Sequence, residues 1–213
     1  MPHIEKVFID DVRIPSVNEI SGCLSKEAIS QWQRRIGFKA ADKITIESRE
    51  RGNEIGAAFE AVLKKLDPKK ETLEKYPYHI KEFKKWAKKI KTIYGIETHL
   101  INNVDMYHGS PDLVADLGQG IEMIDYKVKA RSPDYQILMN EAAYCEAWRV
   151  MKGDEIKTIR LVNFHPDTGR IHETLLSLNH KWLQDFFICH EMWKVNQCAQ
   201  EYWAKNCKNK LEG

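Results

Sequence analysis

The chain reads as an α/β protein of the α+β kind, a central mixed sheet flanked by helices with further helices at both ends. Three observations predict this. Apolar residues recur at helical spacing before Gly95, then short apolar runs punctuated by Gly and Pro follow to Val128. A second helical stretch separates those runs from a final pair of β-rich segments. The resulting order is helix, three strands, helix, strand.

Each element has its own signal. Val7-Phe8-Ile9 is a short leading strand. Ser16 N-caps a first helix, with Glu19 at the capping-box position. Ser25 starts another, which carries Ala28, Ile29, Trp32 and Ile36 and stops at Gly37. Residues 40–66 form a helix, interrupted near Gly52, with Ile55, Phe59, Val62, Leu63 and Leu66 on one stripe. Asp67-Pro68 ends it. After Pro77, a helix over residues 79–94 gathers Ile80, Phe83, Trp86, Ala87, Ile90 and Ile93 on one face. Strands follow at 96–104, 111–117 and 121–128, the last two joined by Gly118-Gln119-Gly120. Ser132-Pro133-Asp134 caps a helix to about Met151. Residues 156–164 and 171–176 form a hairpin across Pro166-Asp167-Thr168-Gly169. Asn179 caps a long last helix bearing Trp182, Phe186, Phe187, Trp193 and Trp203, a series best explained by core packing.

The 213 residues suit one domain, with a mainly helical part at 1–95, a sheet core at 96–178 and a terminal helix at 179–213. Apolar residues make up 43% and charged residues 30%, ordinary for a globular chain. The net charge of +2 offers a polyanion little by itself, so any such contact depends on clustering. Lysines do cluster, at 64, 65, 69, 70, 75, 81, 84, 85, 88, 89 and 91. They describe either a solvated helix face or a phosphate-backbone contact. No run is long and apolar enough to span a bilayer, and the first residues lack a signal-peptide pattern, so a cytoplasmic location is expected. Five cysteines argue against a disulfide framework. Cys189, Cys198 and Cys207 recur every nine residues, two and a half helical turns, which points successive thiols to opposite sides and disfavours an iron–sulfur cluster.

The chemistry concentrates in Gly109-Ser110-Pro111-Asp112 and Ile124-Asp125-Tyr126-Lys127. Residues two apart on a strand share a face, so Asp125 and Lys127 point together and Tyr126 points away. On neighbouring strands Asp112 meets Asp125. Two carboxylates and an ammonium at one point of a sheet are costly unless something binds there, and a hard divalent cation suits oxygen ligands.

This constellation resembles the PD-(D/E)XK nuclease superfamily, here Pro111-Asp112 followed by Asp125-Tyr126-Lys127. The segment from Ile14 to Asp42 and the pattern Asn140-x-x-x-Tyr144 resemble its RecB-like, phage-type exonuclease branch, similar to the mitochondrial genome maintenance exonuclease. The resemblance implies a restriction-endonuclease-like core and Mg²⁺ or Mn²⁺, one or two ions. It implies Asp112, Asp125, Glu60 and the backbone carbonyl of Tyr126 as metal ligands. Asp112, Asp125, Glu60 and Lys127 would be the catalytic set, with Lys127 positioning water and offsetting phosphate charge. Gln136, Asn140 and Tyr144 would hold substrate, along with Ser110, Lys129 and Arg131. Where relatives carry histidine four residues before the glutamate, this chain has Gly56, leaving an oxygen-only site nearer the phage lambda exonuclease type. The implied function is a DNA exonuclease of phage or bacterial replication, recombination or repair, with DNA as partner and recombination or replication proteins as companions. A structure-selective endonuclease and a non-catalytic DNA-binding module on the same fold are the alternatives.

Overall fold

A tight hairpin opens the described chain. β1 (Val7–Ile9) and β2 (Val12–Ile14) pair antiparallel around Asp10-Asp11. Both turn residues have positive φ, 47° and 62°, as a two-residue hairpin turn of this hand requires. The computed structural model describes residues 6–24, 26–129 and 134–208, leaving aside the side chains of 26, 28 and 203–208. Ser25, Ser132, Pro133 and Arg131 therefore lie outside the described residues, as do the side chains of Ala28, Trp203 and Cys207.

The capping box at Ser16 and Glu19 is present and opens α1 (Val17–Ser21). A 3₁₀ turn leads into α2 (Lys26–Ile36). Gly37, at φ 87°, ends α2 and hands over to α3 (Phe38–Leu63), which runs unbroken through Gly52. The interruption expected there does not occur, because nothing crowds the glycine and the flanking turns bury Ile55, Ala58 and Phe59. α4 (Lys70–Lys75) and α5 (Pro77–Ala87) follow, with Pro77 at the first position of α5.

The remaining elements are β3 (Thr92–Ile96), β4 (Leu100–Asn102), β5 (Tyr107–Gly109), β6 (Leu113–Asp116), β7 (Ile121–Val128), α6 (Tyr135–Lys152), β8 (Thr158–Phe164), β9 (Ile171–Ser177) and α7 (His180–Lys208). Five strands make one mixed sheet in the order β3-β6-β7-β8-β9, with β7 and β8 parallel and every other pair antiparallel. Two sequence expectations are corrected here. The helix expected to reach Tyr94 ends at Ala87, and the strand expected over 96–104 is split. Thr92–Ile96 pairs with β6 as an edge strand, and those ladder bonds outweigh the local helical period of Ile90 and Ile93. Glu97 then turns the chain at φ 47°, and β4 joins β5 in a separate hairpin.

The two faces of the sheet carry different cores. Leu113, Ala115, Ile124, Tyr126, Val162 and Phe164 face α3 and α5, where Phe59 and Phe83 stack at 3.9 Å. Val114, Met123, Ile159 and Leu161 face α1, α6 and α7, meeting Met139, Ala143, Tyr144, Trp148 and Phe186. Strand alternation then sets the site: Asp125 and Lys127 follow Met123 onto the α6 side, while Tyr126 follows Ile124 onto the α3 side.

Candidate active site

β6 ends one rung before Asp112, since Leu113 is the last residue in register, opposite Ile124. Asp112 therefore sits at the open end of that ladder, next to Asp125. Its Oδ2 accepts a hydrogen bond from the Tyr126 backbone N–H at 3.0 Å. The N–H and C=O of one strand residue lie on the same edge, so the Tyr126 carbonyl also faces the Asp112 side. Lys127 reaches both acids: Nζ is 2.6 Å from Asp125 Oδ1 and 3.5 Å from Asp112 Oδ2. Asp112 is 8% exposed and Asp125 5%, so the two acids are nearly dry, while the Lys127 side chain stays 41% exposed.

Burial pushes the Asp112 carboxyl up to about 6; Lys127 opposes that rise and Asp125 adds to it. Burial would lower Lys127, but the two aspartates outweigh it and hold the ammonium well above its ordinary value. Lys127 is thus firmly protonated at neutral pH, the state that neutralises anions rather than one that accepts a proton.

Two further carboxyl groups, to which the motif assigns no role, feel the field of the cluster. Glu97 donates its backbone N–H to the Asp112 carbonyl at 3.1 Å. Burial, then Asp112, then Glu60 push its carboxyl up to about 7. Its positive φ at a non-glycine position is the kind of backbone strain that gathers at functional sites. Glu141, on α6, is 2% exposed and held well above the carboxylate range by burial, Asp125 and Asp112. Glu97 leaves no signal in the sequence beyond its place at a strand end. Glu141 does leave one: it stands inside Asn140-Glu141-Ala142-Ala143-Tyr144, a helical run buried all round.

The other expected residues are placed as follows. Glu60 lies on α3, on the Tyr126 side of the sheet, bonded to Lys64 at 2.5 Å, and reaches the cluster through its field on Glu97 and Tyr126. Gln136 donates to Ser21 Oγ at 3.0 Å and Asn140 to Asn18 Oδ1 at 2.8 Å, tying α6 to α1. The Asn140 Oδ1 remains buried without a partner. Tyr144 is buried against Gly109, where an added Cβ would come within 2.6 Å of its ring. Ser110 Oγ lies 3.5 Å from His99 Nδ1. Lys129 meets Asp134 at 3.4 Å. Gly56 has open space around it, so no steric reason excludes a side chain there. The cysteines behave in a way that spacing along one helix does not predict: Cys189 hydrogen-bonds with Cys23 across elements, and burial with that partner pushes its thiol up to about 12.

The donor set fits a hard divalent cation in kind. Every candidate ligand is an oxygen, and Asp112, Asp125, Glu97 and Glu141 share the field of one ammonium, Lys127. Among the described residues no three acids, histidines or cysteines are already gathered as a cage. Lys127 stands against Asp125 and Asp112 instead.

No protein-family model matches the chain, and no curated protein matches it in sequence. Among solved structures, it is similar to an alkaline exonuclease (LHK-Exo) from Laribacter hongkongensis at 12% identity and TM-score 0.43, covering 75% of this chain and 85% of that one. It is also similar to LHK-Exo in complex with dAMP at 11% identity and TM-score 0.47, covering 93% and 94%. Identities and scores this low leave the reading of the site to its own residues.

Proposed function

We propose that the protein is a Mg²⁺- or Mn²⁺-dependent deoxyribonuclease, acting as an exonuclease on DNA ends. The observation that carries this reading is the buried Asp112–Asp125 pair with the Lys127 ammonium against both acids. Such a cluster costs stability as it stands, and it acquires a purpose if it binds a cation beside an anionic substrate.

In this reading Asp112, Asp125 and the Tyr126 carbonyl hold the ion, and Glu60 adds negative field from the far side through Glu97. When bound, the ion would polarise the phosphoryl oxygen and lower the pKa of a water. Lys127, kept protonated by its acids, offsets charge developing on the phosphate. Asn140 and Tyr144 fix that face of α6, and the free Asn140 Oδ1 can orient the Lys127 ammonium or a water. Ser110 and Lys129 lie beside the cluster in sequence and would contact the phosphate backbone, and Arg131 belongs to the same proposed set. The exposed lysines of α5 give the polyanion an approach surface.

The test is cleavage of end-labelled linear single- and double-stranded DNA and of closed circles, with Mg²⁺ or Mn²⁺, for wild type and Asp125→Ala. Wild type should degrade linear DNA from an end, and the variant should lose about a thousandfold in rate, the equivalent of roughly 4 kcal/mol. Sustained cutting of closed circles would replace the exonuclease with an endonuclease. No cleavage in either metal would leave a DNA-binding module and overturn the proposal.

A further inference from the structure

Among the described residues, Glu141 is the one acid with a buried side-chain oxygen that has no hydrogen-bond partner. It lies in the middle of α6, a helix that packs against β7, and is 2% exposed. Its Oε2 is buried with no hydrogen-bond partner among the described residues, and no ion pair among them reaches it. A buried acceptor left unpaired costs about 1–3 kcal/mol, so a partner absent from the polypeptide is the economical explanation. The groups that govern its field are Asp125, Asp112 and Lys127, the members of the cluster just described. Lys127 is also the only cation among them, and it is engaged with the two aspartates.

We infer that Glu141 becomes the third acidic oxygen donor, alongside Asp112 and Asp125, when a cation binds and draws the three together, since without it they form no ready cage. The inference rests on the metal-dependent reading above and extends it to a residue on the opposite layer of the fold. It explains three things together: why an acid is buried at this position, why its outer oxygen has no protein partner, and why the helix that follows β7 must pack tightly on the Asp125 face. An oxygen donor supplied from a helix also suits a hard cation, whose affinity rises with the number of charged ligands. Gln136 Nε2 and Asn140 Nδ2 are committed elsewhere, to Ser21 and Asn18, while Asn163 Nδ2, paired in register with Lys127 on β8, is itself buried without a partner among the described residues.

The role makes a two-sided prediction that a purely structural acid does not share. In EDTA, Glu141→Gln and Glu141→Met should melt higher than wild type by about 2–4 °C, because a repelled, unsatisfied carboxyl has been removed. In Mn²⁺, the same variants should bind more weakly by at least about tenfold, the lower end of what loss of a supporting group costs a metal site. Mn²⁺ binding is read directly by electron paramagnetic resonance and by the Mn²⁺-induced shift in melting temperature, with no DNA present. Asp125→Asn serves as the control that loses the site. Binding by Glu141→Gln equal to wild type, with Asp125→Asn impaired, overturns the inference and leaves the nuclease reading intact. Variants that melt lower in EDTA or fail to fold mark a structural carboxyl and overturn it too. Wild type that binds no Mn²⁺ at all overturns the metal-dependent reading and this inference with it.

Discussion

Neutralising Asp112 and Glu97 together, as Asp112→Asn/Glu97→Gln, should remove a specific pH dependence from the stability of the metal-free protein. Asp112 is raised from 3.8 to about 6 and Glu97 from 4.5 to about 7, both chiefly by burial. An acid raised on folding binds more protons in the native state between its two values. Its contribution is therefore fully present at low pH and is lost as pH rises through the folded value. From pH 5 to pH 8 the loss spans about one decade for Asp112 and about two for Glu97, at about 1.4 kcal/mol per decade. The two together amount to about 4 kcal/mol. Histidines 79, 99, 108 and 190 are lowered, first of all by burial, and act in the opposite sense below their ordinary value, so wild type alone does not isolate the effect. The difference between the double variant and wild type does. Urea denaturation in EDTA at pH 5, 6, 7 and 8 should show the variant gaining on wild type by about 4 kcal/mol across the range. A difference that stays constant within about 1 kcal/mol would refute the claim that these acids are desolvated and mutually repelled.

Other consequences are simpler to test. Lys81 and Lys84 on α5 and Lys88 at its C-cap are exposed and make no ion pair among the described residues. Changing all three to Glu should weaken DNA binding at low salt and reduce the slope of log K against log salt by about one per lysine engaged, measured by fluorescence anisotropy. Gly56→Ala should stabilise α3 by about 0.5–1 kcal/mol, seen in urea melts, because its Cβ meets nothing within contact distance. Arg160 bridges the buried Glu122 at 2.6 and 3.0 Å and Glu173 at 3.0 Å across β7, β8 and β9. Arg160→Ala should cost about 3–5 kcal/mol in chemical denaturation by stranding Glu122, whereas replacing both Arg160 and Glu122 by apolar residues should cost much less.

Much of this protein follows from local pattern. The Ser16–Glu19 capping box, the third-strand bounds at Ile121–Val128, the Asp134 start of α6 and the β8–β9 hairpin all follow from spacing and turn chemistry, which act within a few residues. Strand alternation alone put Asp125 and Lys127 on one face. Local pattern failed at residues 88–104, where helical periodicity continues past Ala87 but hydrogen bonds to β6 capture the chain as an edge strand. It also missed Glu97 and Glu141, because burial of an acid is a property of its surroundings. Nor could it say that α6 covers the Asp125 face while α3, with Glu60, covers the other. Those facts depend on which layers pack against which face of the sheet. Sequence thus determined which chemical groups are present and which way each points along its own element. Tertiary structure decided which carboxyl groups share one desolvated volume, since their fields become strong only where packing has removed the water between them.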